Sequence, residues 1–222
     1  MAAISKYVIN LRERTDRRVE MEQQLRRVGW QAAFVAAIRP ADAADFPSVG
    51  ARGAFLSHLA TLKQAGSGHV LLMEDDLDFA PGFANLWDRA YGELETRDWS
   101  MFYPGHVLQG APAGLLRIEP TQPVLCAHFL VINEAARTKV IEGLETILSR
   151  PAGHPMGGPM HVDGAYTTIR AQHPELNTFV FSPSLGFQRA SRSDIAAPKL
   201  FDRIEWLQPA VRQLRRLKQR RW

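Results

Sequence analysis

A chain of 222 residues, 45% hydrophobic and 23% charged, is long enough for one well-buried domain and too short for two full ones. The same composition excludes collagen-like, low-complexity and disordered classes. A single cysteine, Cys126, excludes an intramolecular disulfide and fits a reducing compartment. The net charge of +4 is unevenly placed: residues 202–222 hold seven Lys/Arg and two Asp/Glu, which leaves 20 basic and 21 acidic residues elsewhere.

Residues 6–11 read as a short buried strand, followed by a turn rich in arginine (Arg12, Arg14, Arg17, Arg18). Met21, Leu25 and Val28 fall on one face of a predicted helix from Thr15 to Val28, with Gly29 as its stop. A second strand is expected within 31–38, and 39–50 reads as a loop. A helix over Arg52 to Ala65 aligns Phe55, Leu59 and Leu62. His69 to Met73 forms an apolar strand running into Glu74, Asp75, Asp76, Leu77 and Asp78. Pro81-Gly82 opens a helix to Leu94, strands are expected near 99–103 and 123–132, and a helix covers Asn133 to Leu148. Cys126 lies in the apolar run of the later strand, where a free cysteine serves as a small core hydrophobe. Residues 150–160 form a Gly/Pro-rich loop. This alternation predicts an α/β sandwich with a mostly parallel sheet, whose ligands bind at the carboxyl ends of the strands.

The strongest local signal is the set Glu74, Asp75, Asp76 and Asp78 at the end of an apolar strand. Like charges crowded together cost energy unless a cation neutralises them. Carboxylates are hard oxygen donors suited to Mg²⁺ or Mn²⁺. Along an extended strand Glu74 and Asp76 would point one way, as would Asp76 and Asp78. A cation held there could bridge a diphosphate leaving group; a solvated acidic turn would carry the same residues. Arg14 and Arg17, at a helix start, offer complementary charge for phosphate. No Walker motif, dinucleotide fingerprint or zinc-ligand spacing is present.

Four blocks then follow in order. Val8-Ile9-Asn10-Leu11 leads to Arg14 and Arg17-Arg18. Gly53-Ala54-Phe55-Leu56-Ser57-His58 comes next. Leu72-Met73-Glu74-Asp75-Asp76 is the third. Val162-Asp163, Gln188 and Ser193-Asp194-Ile195 close the set. Over residues 7 to 195 this order resembles glycosyltransferase family 25, the lipooligosaccharide galactosyltransferase family. The resemblance implies a GT-A-like α/β/α sandwich, a UDP-sugar donor, a glycan or glycolipid acceptor, and Mn²⁺ (or Mg²⁺). It also implies transfer of a hexose, galactose first, with inversion.

By the same resemblance Asp76 is the main metal ligand, partnered by Glu74 or Asp78, with Asp75 in support. Asn10, Arg14 and Arg17 would hold the nucleotide end. Ser57 and His58 would line the donor pocket, with Gln188 among the donor-binding residues. Asp163 is the candidate general base; a helix N-cap at the start of 164–172 is its ordinary structural role. Asp194 is the rival base, His58 a third candidate for direct chemistry, and His161, a loop histidine two residues before Asp163, a candidate metal ligand. Ala54 stands where many members of the family have cysteine.

The expected organisation is a catalytic domain over 1–200 and a basic amphipathic helix over 201–222. In that tail Ile204, Leu207, Val211, Leu214 and Leu217 recur at three- and four-residue spacing among arginines. Such a helix, over about 203–222, can lie on an anionic membrane or pack on the domain. No recognition motif supports nucleic-acid binding. Without a signal peptide or a run of about 20 apolar residues, a cytoplasmic chain is expected, able to touch the inner face of the membrane. A catalytically inactive member that binds a glycan or a partner protein is the alternative.

Overall fold

The computed structural model describes residues 3–108 and 110–189. The element order is β1 (Ile4–Asn10), α1 (Thr15–Arg27), β2 (Ala33–Ala36), α2 (Val49–Gln64), β3 (His69–Glu74), β4 (Leu77–Phe79), α3 (Phe83–Leu94), β5 (Met101–Tyr103), β6 (Gly114–Ile118), β7 (Phe129–Ile132), α4 (Glu134–Ser149), α5 (Val162–Gln172), β8 (Thr178–Ser182) and β9 (Gly186–Gln188).

Seven strands form one sheet in the order β2-β1-β3-β7-β5-β8-β6, and β4 pairs with β9 in a separate two-stranded ribbon. Strands β1, β2, β3, β5 and β8 run in one direction, while β7 and β6 run against them. The sheet is therefore mostly parallel, as the sequence predicts, with two reversed strands.

Alternation along β3 builds two cores. Val70 and Leu72 face one side, with Phe55, Leu59 and Leu62 of α2, Val140 and Leu144 of α4, and Tyr166 and Ile169 of α5. Leu71 and Met73 face the other side, with Met21 and Leu25 of α1 and Phe83, Trp87 and Leu94 of α3. A strand buried on both faces reads as an unbroken apolar run, which is why 69–73 carries no polar residue after His69. The result is a three-layer α/β/α sandwich.

Helix starts follow side-chain chemistry. Ser48 Oγ accepts a hydrogen bond from the Ala51 N–H at 3.0 Å, so α2 begins about a turn before the predicted Arg52. Asn133 Oδ1 accepts from the Ala135 N–H at 2.9 Å and starts α4. The strand predicted over 123–132 is shorter. Cys126 has φ +72°, a left-handed conformation that breaks extended structure, and only Phe129–Ile132 join the sheet. Strands β6, β8 and β9 have no counterpart among the predicted elements.

Candidate active site at the ends of β1 and β3

Strands β1 and β3 are parallel neighbours, with Ile9 beside Glu74. Their carboxyl ends therefore lie together and bring Asn10 against the acidic segment. That segment is not a continuous strand. Asp75 and Asp76 form a turn between β3 and β4, so the alternation expected for Glu74, Asp76 and Asp78 does not apply. The carboxylates instead sit in different surroundings, with Arg17 shared between Asp75 and Asp76.

Asp75 is buried and saturated: Asn10 Nδ2 donates to it at 2.7 Å and Arg17 Nη1 at 2.9 Å. Asn10 also donates to the Arg14 carbonyl at 3.2 Å, which ties the start of α1 to the strand ends. Arg14 lies against Asp16, at 2.9 and 3.0 Å, and its hydrogen bond holds the Asp16 carboxyl down at about 2. Asp78 is clamped by Arg189, whose Nε and Nη2 donate to one oxygen at 2.9 and 2.8 Å. The same guanidinium meets Glu20 of α1, and the Arg189 N–H donates to the Asp76 carbonyl at 2.6 Å. Arg189 thereby closes the β4–β9 ribbon onto α1. Nothing in its local sequence marks it, because its partners lie more than 100 positions away.

Asp76 differs from its neighbours. It is 6% exposed, and its Oδ2 has only long contacts, to Gln188 Nε2 at 3.4 Å and Arg17 Nη1 at 3.5 Å. Its Oδ1 is buried with no hydrogen-bond partner among the described residues. Burial, and then the nearby Glu74 charge, push its carboxyl up to about 7 against the partial opposition of Arg17. A buried carboxylate with an unmatched oxygen is costly on its own. Its donor chemistry suits a hard divalent cation.

Glu74 is partly exposed and meets His58 Nε2 at 3.4 Å. Burial raises its carboxyl, but the hydrogen bond from His58 and the surrounding positive charge, Arg17 among it, outweigh this and hold it below the usual carboxylate range. Among the described residues no set of three or more His, Cys, Asp or Glu side chains is arranged to hold a metal by itself. Glu74 and Asp76 fit the sparser kind of site, in which one or two carboxylates share a Mg²⁺-like ion with substrate phosphates.

The Ser57 hydroxyl donates to the Gly53 carbonyl at 2.6 Å and accepts from the Ile38 N–H at 2.8 Å. Both bonds are internal and pin α2 to the segment after β2. Gly53 allows this approach: a Cβ there would stand 2.7 Å from the Ile38 oxygen. His58 is buried below the site and also meets the Tyr166 hydroxyl at 3.1 Å.

Asp163 lies in the first turn of α5, while His161 holds the N-cap position without a side-chain cap. Asp163 Oδ1 accepts from the Gly164 N–H at 2.8 Å and its Oδ2 from the Cys126 N–H at 3.4 Å. Cys126 is half-buried rather than a core residue. Its Sγ is 3.9 Å from Gln188 Oε1, and burial, followed by Asp163, Glu74 and Asp76, pushes its thiol up to about 11. Asp163, Cys126, Gln188, Asp76 and Glu74 thus form one polar neighbourhood. Asp194, the Ser193-Asp194-Ile195 block and the whole of 201–222 lie outside the described residues.

No protein-family model matches the chain, and no curated protein matches it in sequence. Several solved structures are similar to it at low identity. A glycosyltransferase involved in glycosylation of the major capsid of PBCV-1 is 11% identical with TM-score 0.43, over 82% of this chain and 94% of that one. A Drosophila β-1,4-galactosyltransferase 7 variant, in complex with manganese, UDP-Gal and xylobiose, is 11% identical with TM-score 0.47, over 91% and 78%. The inositol-1-phosphate CTP transferase from T. maritima is 11% identical with TM-score 0.44, over 96% and 95%.

Proposed function

We propose that this chain is a metal-dependent glycosyltransferase of the family 25 kind. It would transfer a hexose, galactose before glucose or N-acetylhexosamine, from a UDP-sugar to a lipooligosaccharide or other surface glycan. The observation that carries the reading is Asp76: a buried carboxylate with one oxygen unmatched among the described residues, where the carboxyl ends of two parallel strands meet. The ordered sequence blocks support the same reading.

Asp76 and Glu74 would hold Mn²⁺ or Mg²⁺. When bound, the ion supplies charge stabilisation to the departing diphosphate. Asn10 and Arg17 fix Asp75 and hold the turn in place. Gln188 and the Arg189 backbone close the turn from the β9 side. Asp163 would take the proton of the acceptor hydroxyl as that oxygen attacks the anomeric carbon, and a single in-line displacement inverts the configuration. Asp78, held by Arg189, serves the ribbon rather than the ion in this reading. The basic segment 203–222 would bring the enzyme to the anionic inner face of the membrane, where a lipid-linked acceptor resides, in a cytoplasmic setting.

Calorimetric titration of UDP, UDP-galactose, UDP-glucose and UDP-N-acetylglucosamine, with Mn²⁺ and then with EDTA, tests this directly. Metal-dependent binding that favours one sugar is the expected result. No binding of any of the four would favour a binding protein without transferase activity.

A further inference from the structure

The α2–α5 side of the sheet buries polar groups inside an apolar core. His58 is 1% exposed and Tyr166 fully buried, among Phe55, Leu59, Val162 and Ile169. An imidazole and a phenol at such depth are costly unless their polar atoms are matched. They form a chain across three elements: the Tyr166 hydroxyl meets His58 Nδ1 at 3.1 Å, and His58 Nε2 meets Glu74 Oε1 at 3.4 Å.

Donor and acceptor rules fix the direction of that chain. A carboxylate oxygen only accepts, so the proton between His58 and Glu74 belongs to Nε2. In the neutral ring Nδ1 is then an acceptor, and the Tyr166 O–H is the donor that faces it. Tyr166 keeps that proton, since burial raises its phenol well above the usual range. In this arrangement each of the two contacts pairs one donor with one acceptor.

We propose that Tyr166 is a positioning residue: through the Nε2–H tautomer of His58 it fixes the Glu74 carboxylate, engaging Oε1 and leaving the second oxygen for the donor site. This rests on the reading of Glu74 as a donor-site carboxylate. Tyr166 lies three residues after Asp163, one helical turn along α5. The same chain therefore couples the helix that carries the candidate base to the strand end that carries the carboxylates. It also accounts for a histidine that is buried beneath the site and contributes no atom to its surface.

The test combines a spectroscopic and a binding readout on the full chain. Long-range ¹H–¹⁵N spectra of histidine-labelled protein report which His58 nitrogen holds the proton. Wild type should show the Nε2–H tautomer, and Tyr166→Phe should populate the Nδ1–H form while the melting temperature stays within a few degrees. Mn²⁺-dependent UDP affinity should fall roughly 10-fold in Tyr166→Phe, as for other outer partners of metal ligands. In a His58→Gln background the same change should have no further effect. An Nδ1–H tautomer in wild type, an unchanged tautomer in Tyr166→Phe, or a changed tautomer with unchanged affinity would overturn the proposal. Wild type that fails to bind UDP with Mn²⁺ would instead overturn the donor-site reading, whatever the spectra show.

Discussion

Asp76 carries the sharpest energetic signature at the scale of single residues. Its folded pKa, about 7, lies above its ordinary 3.8. The folded protein therefore binds this proton more tightly than the unfolded chain between those values. The contribution is fully present below about pH 4 and is lost as pH rises through 7. Asp76→Asn should therefore be more stable than wild type at pH 8, by roughly 2 kcal/mol, and close to it at pH 4. Denaturant melts at the two pH values measure the difference. The same variant should lose at least about 100-fold in sugar transfer, since an ion that stabilises a leaving group contributes several kcal/mol. A variant with full activity would mean that Asp76 holds no ion. Mn²⁺ affinity of wild type should tighten between pH 6 and 8, because the ion competes with that proton. Arg189→Ala makes a contrasting prediction. It strands Asp78 and Glu20, each about a third exposed, and should cost about 1 kcal/mol at neutral pH, since breaking a half-buried pair leaves charge only partly compensated by water. Its effect on metal affinity should be smaller than that of Asp76→Asn.

Among the elements, α5 carries both Asp163 and Tyr166, and its seat against α4 is set by Gly143. A Cβ at that position would meet Ile169 Cγ1 at 2.7 Å and Cδ1 at 3.0 Å. Gly to Ala inside a helix ordinarily gains up to about 1 kcal/mol. Here the clash with a side chain buried in the core should reverse the sign. Gly143→Ala is expected to destabilise by about 1–2 kcal/mol, read as a fall of several degrees in melting temperature. Long periodic elements were legible in the sequence: α1, α2, α3 and α4 all show the spacing of their buried faces, and β3 shows its unbroken apolar run. Short or half-exposed strands were not. Leu115 and Leu116 in β6 are only partly buried and give no alternation, and β9 has three residues. β8 did leave a signal, the apolar Phe179 to Phe181 between Asn177 and Pro183, but a run that short does not distinguish strand from buried loop. The acidic segment misled for another reason. Its residues suit a strand continuation, but the chain turns at Asp75 and Asp76, and this separates the roles of the carboxylates.

At the scale of the whole molecule, the site exists because the sheet order places β1 beside β3 and the ribbon returns β9 to β4. Proximity of Glu74, Asp75, Asp76 and Asp78 could be read directly from the sequence. Gln188 was named through the family resemblance, but the engagement of Arg189 and Tyr166 could not be read, because it depends on chain reversals across more than a hundred residues. Charge is also a whole-molecule property. Without 202–222 the remaining 20 basic and 21 acidic residues leave a net charge of −1. A chain ending at residue 201 should therefore lose salt-sensitive co-sedimentation with anionic vesicles and keep its UDP titration. Retained sedimentation would place the membrane contact in the domain itself. The only sulfhydryl in the sequence sits half-buried between Asp163 and Gln188, so the protein comes with a single attachment point for a fluorophore or spin label beside the candidate base. With a thiol pushed up to about 11, it will react slowly with alkylating reagents near neutrality, and a ligand bound beside Asp163 and Gln188 should slow it further, turning the rate of modification into a gauge of occupancy that requires no engineered residue.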